Sequence, residues 1–208
     1  MKKHLTVIGL GQLSVPTDQI SLTFDLSIRD ESYEETVALS NEQNEKLKDA
    51  LEKVGLSNLK TTQFSINADY ESYQDESNHY RKRFVGYLLE QSLNCTFDLD
   101  LNKLQSILSE LSMTGVDPVL NISFTIKDKE RVMDQLLTLA TKNATDRSSV
   151  LAKAAGVELS EIINIDYKPM TSVARFESPM AVRSMAAPVV EPKDIDLEEM
   201  VTITWSIR

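Results

Sequence analysis

Three groups of residues have the types and spacing to do chemistry. The first is Gly9-Leu10-Gly11, which follows the apolar run Leu5–Ile8 and has the outline of a phosphate-cradling turn. A dinucleotide loop needs a strand, a G-x-G-x-x-G turn and a helix whose N-terminus holds the pyrophosphate. Here Ser14 stands at the third glycine position, and Val15-Pro16-Thr17-Asp18 reads as a turn. Beyond it, Ile20, Leu22, Phe24, Leu26 and Ile28 alternate with Ser21, Thr23, Asp25, Ser27 and Arg29. That period of two predicts a strand, so no helix terminus follows to bind phosphate. Gly9 and Gly11 are expected to mark a bulge or tight bend between two strands. No nucleotide or other cofactor is expected.

The second group is the carboxylate pair Asp98 and Asp100, which could share acid–base work. Asp98 reads more simply as a helix N-cap. The third group is Tyr70, Tyr73, Tyr80 and Tyr87, which could line a site for a small apolar or peptide ligand. Strand propensity favours a half-buried structural role for them. His4 and His79 are the only histidines, and Cys95 is the only cysteine. A histidine dyad, a Cys-rich zinc site and an internal disulfide therefore lack support. Cys95 shares a strand face with Leu93 and Phe97 and is expected to act as a small hydrophobe. No catalytic, cofactor-binding or metal-ligating residue is assigned, and no enzyme is expected.

Charge narrows the partners. The 208 residues carry 32 acids against 22 bases, a net charge of −10. Such a chain is repelled by nucleic acid and by anionic lipid surfaces, so no nucleic-acid partner is expected. Arg81-Lys82-Arg83 is too short to reverse this; with Asp69 and Glu71 on the preceding strand, it is expected to pair across a hairpin. No apolar run reaches the roughly 18 residues of a membrane span. Met1-Lys2-Lys3 has the look of a signal-peptide start, but Thr6, Gly9, Gly11 and Gln12 break the apolar stretch after it. The expectation is a cytoplasmic protein, periplasmic only if the true N-terminus is longer. Triplets of the Asn-x-Ser/Thr type at Asn94, Asn121 and Asn143 are then chance matches.

The elements follow from periodicity. Strands are expected over 4–10 and 19–29, then a helix to Val54, opened by a capping box from Ser32 to Glu35 and stopped by Gly55. Its apolar stripe is Val37, Leu47, Ala50, Leu51 and Val54. Residues 60–74 and 80–97 alternate as a long hairpin. Leu101, Leu104, Ile107, Leu108 and Leu111 sit at helical spacing, and Leu120, Ile122, Phe124 and Ile126 line one face of a strand. A long helix runs from Lys129 to Ala155, spanning about 40 Å at ~1.5 Å per residue. Ala140, Ala144, Ser148 and Ala152 give it a small-residue face that lets it lie close to a neighbour. Residues 161–168 and 199–207 are the last strands. The order β-α-β-β-α-β over 19–127 predicts an α+β fold with a ferredoxin-like (split βαβ) antiparallel core, extended by the long helix and extra strands. The chain is expected to form one domain over 1–208, with room for two lobes: a core at 19–127, and 1–18 with 128–208. Residues 169–192 show no period and read as a long loop. Met170, Met180, Val182, Met185 and Val189 make it too apolar for a solvated one, so it is expected to be a contact arm, with a floppy loop as the alternative.

Taken together, these residues resemble the SIMPL-domain family, also called domain of unknown function 541, over nearly the whole chain. "TVIGLGQLSVPTDQISLTFDLSI" is similar to the family's V-x-G-x-G and P-D opening, with Thr17 separating Pro16 from Asp18. Gly55, Thr61 or Thr62, Tyr70 and Gly86-Tyr87 match its G…T…Y…GY progression, and Gly115, Ile122 and Phe124 match its G…I-x-F strand. Ala140, Ala144, Ala152 and Gly156 match its A-x₃-A helix and terminal glycine, where Ser148 departs from the usual alanine. The resemblance implies an α+β fold, a tendency to ring-like homo-oligomers and, in bacterial members, envelope location with links to oxidative stress. It implies no catalytic residue. The expected function is a non-enzymatic homo-oligomeric scaffold, with a module for a small apolar or peptide ligand as the alternative.

Overall fold

In the computed structural model, which describes residues 3–75, 78–169, 177–181 and 192–208, eight strands and three helices occur among the described residues. They are β1 (His4–Val15), β2 (Gln19–Asp30), α1 (Tyr33–Lys53), β3 (Lys60–Gln74), β4 (Tyr80–Asp98), α2 (Leu101–Ser112), β5 (Val119–Thr125), α3 (Lys129–Ala155), β6 (Leu159–Asp166), β7 (Glu177–Ala181) and β8 (Ile195–Ile207). The strands form a three-stranded sheet, β1-β8-β6, and a five-stranded one, β3-β4-β2-β5-β7. Neighbours β1 and β8, β8 and β6, β2 and β4, and β3 and β4 are all antiparallel. The protein is thus α+β, in two compact units: residues 19–124 with 179–191, and residues 1–18, 125–178 and 192–208.

The 19–124 unit is built on the period-2 rows of β2 and β4. Ile20, Leu22, Phe24 and Leu26 point inward with Leu93, Cys95 and Phe97, and α1 and α2 add Leu47, Leu51, Ile107 and Leu111 to one apolar cluster. Ser32 caps α1 through its Oγ, which accepts from the Glu35 N–H at 3.3 Å. The reciprocal arm of the expected capping box is taken by another residue: the Ser32 N–H donates to Asp30 Oδ1. The α2 cap is Asp100, which accepts from the Lys103 N–H at 3.0 Å, and not the expected Asp98. Asp98 is still the last residue of β4, three positions before α2 begins at Leu101. The inward face of α1 is also more polar than the expected stripe: Thr36 and Ser40 are buried, and Val37 is only half-buried.

The second unit answers the question raised by Gly9 and Gly11. They mark neither a bulge nor a bend. β1 pairs with β8 in unbroken register from His4↔Ser206 to Val15↔Ile195, five residues longer than expected. Both glycines lie mid-strand on the buried face, beneath α3. A Cβ on Gly9 would stand 2.0 Å from the Ala140 carbonyl oxygen, and one on Gly11 would stand 2.1 Å from that of Leu136. The small face expected for α3 is real: Ala140, Ala144, Ser148 and Ala152 are all buried. Glycine on the strand and alanine on the helix let two backbones touch, and Val7, Val201, Ile203 and Trp205 close around the contact. α3 also protects the outer edge of β1. The Leu10 N–H donates to Asn143 Oδ1 at 3.0 Å, and Arg147 donates to the Ile8 carbonyl at 3.3 Å, which satisfies groups that could otherwise template another strand. Gly156, with φ +67°, ends the helix.

The expected face of Leu120, Ile122, Phe124 and Ile126 is divided between the units. Ile122 and Phe124 join the α1–α2 cluster, whereas Ile126 packs with Val132, Leu136, Ile195 and Leu197. Residues 169–192 are not a loop throughout, because β7 lies within them beside β5 at the end of its sheet. An end strand accommodates Pro179, which a central strand would not. Met170, Val182, Met185 and Val189 lie outside the described residues, and Met180 falls in β7.

Candidate functional site

The candidate site is built by a mismatch of strand lengths. β4 is 19 residues long, but β2 pairs with it only from Tyr87 to Asp98. The preceding stretch of β4 pairs with β3 alone, as Tyr70↔Phe84, Glu71↔Arg83, Ser72↔Lys82, Tyr73↔Arg81 and Gln74↔Tyr80. Residues 69–74 and 80–86 therefore run past the end of β2 as a two-stranded ribbon. A register shift between Asp69 and Tyr70 marks its base, where Gly86 has φ +137° and lies against the Asp30 backbone. A side chain at 86 would meet both the strained φ and the Asp30 carbonyl.

Such a ribbon is marginal by itself in water, and its cross-strand pairs hold it. Arg83 Nη2 donates to Glu71 Oε2 at 3.1 Å, and Arg81 Nε donates to Asp75 Oδ2 at 2.6 Å. The expected cross-strand pairing is therefore met for Glu71. Asp69 instead pairs with Arg29 of β2, and Lys82 stands opposite Ser72. The rings supply the rest. Tyr33, Tyr87, Phe84 and Tyr70 form a chain of edge-to-face contacts with centroids 5.5, 5.3 and 5.8 Å apart, the geometry that ring quadrupoles favour.

The four candidate tyrosines separate. Tyr87 is half-buried at the base of the ribbon. Tyr70, Tyr73 and Tyr80 are 54%, 44% and 81% exposed, and Phe84 is exposed beside them. The expected half-buried role thus fits Tyr87 alone. None of the four lines the cleft bordered by Asn44, Leu56, Leu59, Thr61 and Gln91. Sequence reasoning missed Phe84 and Tyr33. Both were within reach: Phe84 lies on the same face of the hairpin as Tyr70, and Tyr33 follows the helix cap.

The other candidates have structural roles. Cys95 is buried, and that desolvation raises its thiol to about 11 from 9.0, with a smaller opposing pull from Lys103. The neutral thiol is therefore favoured in the fold, so its stabilising share is complete below about pH 9 and is lost as the pH rises through 11. Urea midpoints should fall between those pH values in the wild type and fall less in Cys95→Ala; equal slopes would contradict the buried neutral thiol. Asn94 Nδ2 reaches Ser21 Oγ and the Leu22 carbonyl, Asn121 Nδ2 donates to Asp25 Oδ2, and Asn143 caps β1. No cluster of three or more metal-ligating side chains occurs among the described residues. Among the same residues, no helix is long and apolar enough to cross a membrane.

Fold and site together define an α+β chain that displays aromatic side chains on a ribbon at a sheet end. The chain belongs to the SIMPL family, a protein family of unknown function (DUF541), which matches residues 5–205. Two curated relatives are each named 26 kDa periplasmic immunogenic protein, one from Brucella melitensis biotype 1 and one from Brucella abortus (strain S19). Each is 25% identical over 164 residues, which is 78% of this chain and 65% of the relative. The chain thus spans less than two thirds of those relatives' length. A crystal structure of an uncharacterized conserved protein from Listeria innocua aligns with 96% of this chain and 92% of its own, at 10% identity and a TM-score of 0.21. So slight a likeness carries no inference.

Proposed function

We propose that this protein is a non-enzymatic homo-oligomeric scaffold and that the ribbon of 69–74 and 80–86 is a contact between its copies. The exposure of Tyr70, Tyr80 and Phe84, which the register places on one face of the ribbon, carries the reading; Tyr73 is exposed on the other face. Aromatic rings gathered on a surface mark sites of association, and tyrosine gives large contact area at low entropic cost. The apolar side chains Met170, Met180, Val182, Met185 and Val189 supply a second contact in this reading. The 19–124 unit is assigned as a split βαβ, ferredoxin-like module; its order β3-β4-β2-β5, with β2 between strands that follow it in the chain, supports that assignment. The relatives' periplasmic naming belongs to those proteins. For this chain a cytoplasmic location stays the expectation, and fractionation of cells expressing the full gene tests it.

The interface is tested by cross-linking. In a Cys95→Ala background, Tyr80→Cys is expected to join chains pairwise with a short bismaleimide. Asn102→Cys, exposed on α2, is expected to stay monomeric on denaturing gels. Equal cross-linking at both positions, or none at either, would contradict a contact at the ribbon.

A further inference from the structure

Each sheet has two end strands among the described residues, and three of the four carry a device against further pairing. The outer edge of β1 is capped by Asn143 and Arg147. β6 is broken by register shifts between Leu159 and Ile162 and between Ile162 and Asn164. β7 has five residues, one of them Pro179. Cover, bulges, short length and proline all stop an edge from templating another strand. β3, at the end of the five-stranded sheet, is the exception. Its two register shifts, at Thr61/Gln63 and Asp69/Tyr70, leave Gln63–Asp69 between them, paired residue for residue with Ser92–Gly86. This straight run holds no proline and no lysine, and no strand lies beside it on the side away from β4.

The pleat divides its side chains. Phe64, Ile66 and Ala68 stand opposite Gln91, Leu89 and Tyr87, on the side of the sheet where Gln91 and Leu89 are buried. Phe64 is nevertheless 55% exposed, Ala68 is exposed and Ile66 is half-buried. This apolar row continues the aromatic face of the ribbon, because Tyr87, opposite Ala68, touches Phe84 edge to face.

A second copy of the chain fits this edge. Antiparallel pairing about a two-fold axis through Ile66 is the register that aligns the two straight runs end to end. It sets Ile66 opposite Ile66 and Phe64 opposite Ala68, with the Phe64 ring also in diagonal reach of Ile66. On the other face Ser65 meets Asn67 and Gln63 meets Asp69. Asp69 is the one charged residue of the run and already pairs with Arg29, so no like charges are opposed. That matters for a chain of net charge −10, whose copies otherwise repel.

We propose that Gln63–Asp69 pairs with the same run of a second copy, antiparallel about Ile66, and joins the five-stranded sheets of the two copies edge to edge. The proposal rests on the scaffold reading and deepens it: the run and the ribbon form one continuous contact, in which the ribbon supplies rings and β3 supplies backbone hydrogen bonds and register.

Disulfide trapping tests the register. In the Cys95→Ala background, Ile66→Cys is expected to give a linked dimer under mild oxidation, because opposed residues of an antiparallel pair have Cα atoms about 4.5–5.5 Å apart, within reach of a disulfide. Ala68→Cys sets its two thiols four residues apart along the pair, about 13 Å. It is expected to stay unlinked by itself and to link to Phe64→Cys when the two proteins are mixed. Ile66→Lys puts a protective charge on the edge and is expected to weaken association about tenfold or more. Light scattering of the same proteins separates the two claims. Association without the Ile66→Cys disulfide, equal linking by Ala68→Cys alone, or wild-type association by Ile66→Lys would overturn the β3 pairing and leave the scaffold reading standing. A wild-type mass of one chain would overturn both.

Discussion

Alanine at Gly9 or Gly11 is expected to cost roughly 3 kcal/mol or more, among the largest single-residue losses in this chain. The added methyl would sit 2.0 or 2.1 Å from a backbone carbonyl of α3, and neither partner is a side chain that can turn away. The helix would have to lift from β1. That would open the contact with Ala140 and Ala144 and strip the Leu10 N–H and Ile8 carbonyl of their partners on α3. Urea denaturation reads the loss as a lower midpoint with an unchanged slope. Ser148→Ala is the control. Ser148 is buried on the same helix face, and its hydroxyl bonds only to the Thr145 carbonyl one turn back, so its loss should stay within about 0.5 kcal/mol. A Gly11→Ala protein as stable as Ser148→Ala would contradict the close contact.

The second large effect concerns assembly. Tyr70→Ser, Tyr80→Ser and Phe84→Ser together are expected to leave both cores folded, because none of the three residues belongs to an apolar cluster of either unit. Burying one such ring is worth about 1.5–3 kcal/mol. Three should weaken association by at least about 4 kcal/mol, roughly a thousandfold. Sedimentation velocity should then find a monomer where the wild type is larger. An unchanged sedimentation profile would remove the ribbon from the interface.

Much of this fold is legible in the residues. The alternation of β2 and β4, the helical spacing of Leu104, Ile107, Leu108 and Leu111, and the glycine at 156 each report a local constraint, and the element borders follow them. Long-range reasons are not legible in that way. Gly9 and Gly11 look like a loop motif because the residue that explains them, Ala140, lies some 130 positions away; only the spacing shared by the alanine stripe and the two glycines hints at a common contact. Asp98 and Asp100 are equal as caps until the length of β4 decides between them. Gln91 reads as one polar interruption of an apolar row, and its hydrogen bonds depend on Ser40 and Asn44, placed opposite it by α1. The tyrosines were visible as a set, but their exposure depends on β2 being shorter than β4, which no local pattern states.

The central claim is that copies of this chain associate, and the mass of the wild-type protein tests it most directly. Multi-angle light scattering at tens of micromolar, in about 0.15 M salt where the screening length is near 8 Å, is expected to give a multiple of the 23.4 kDa chain mass. The mass should fall as salt is withdrawn, because chains of charge −10 then repel one another. A mass of one chain at every salt concentration would contradict the account.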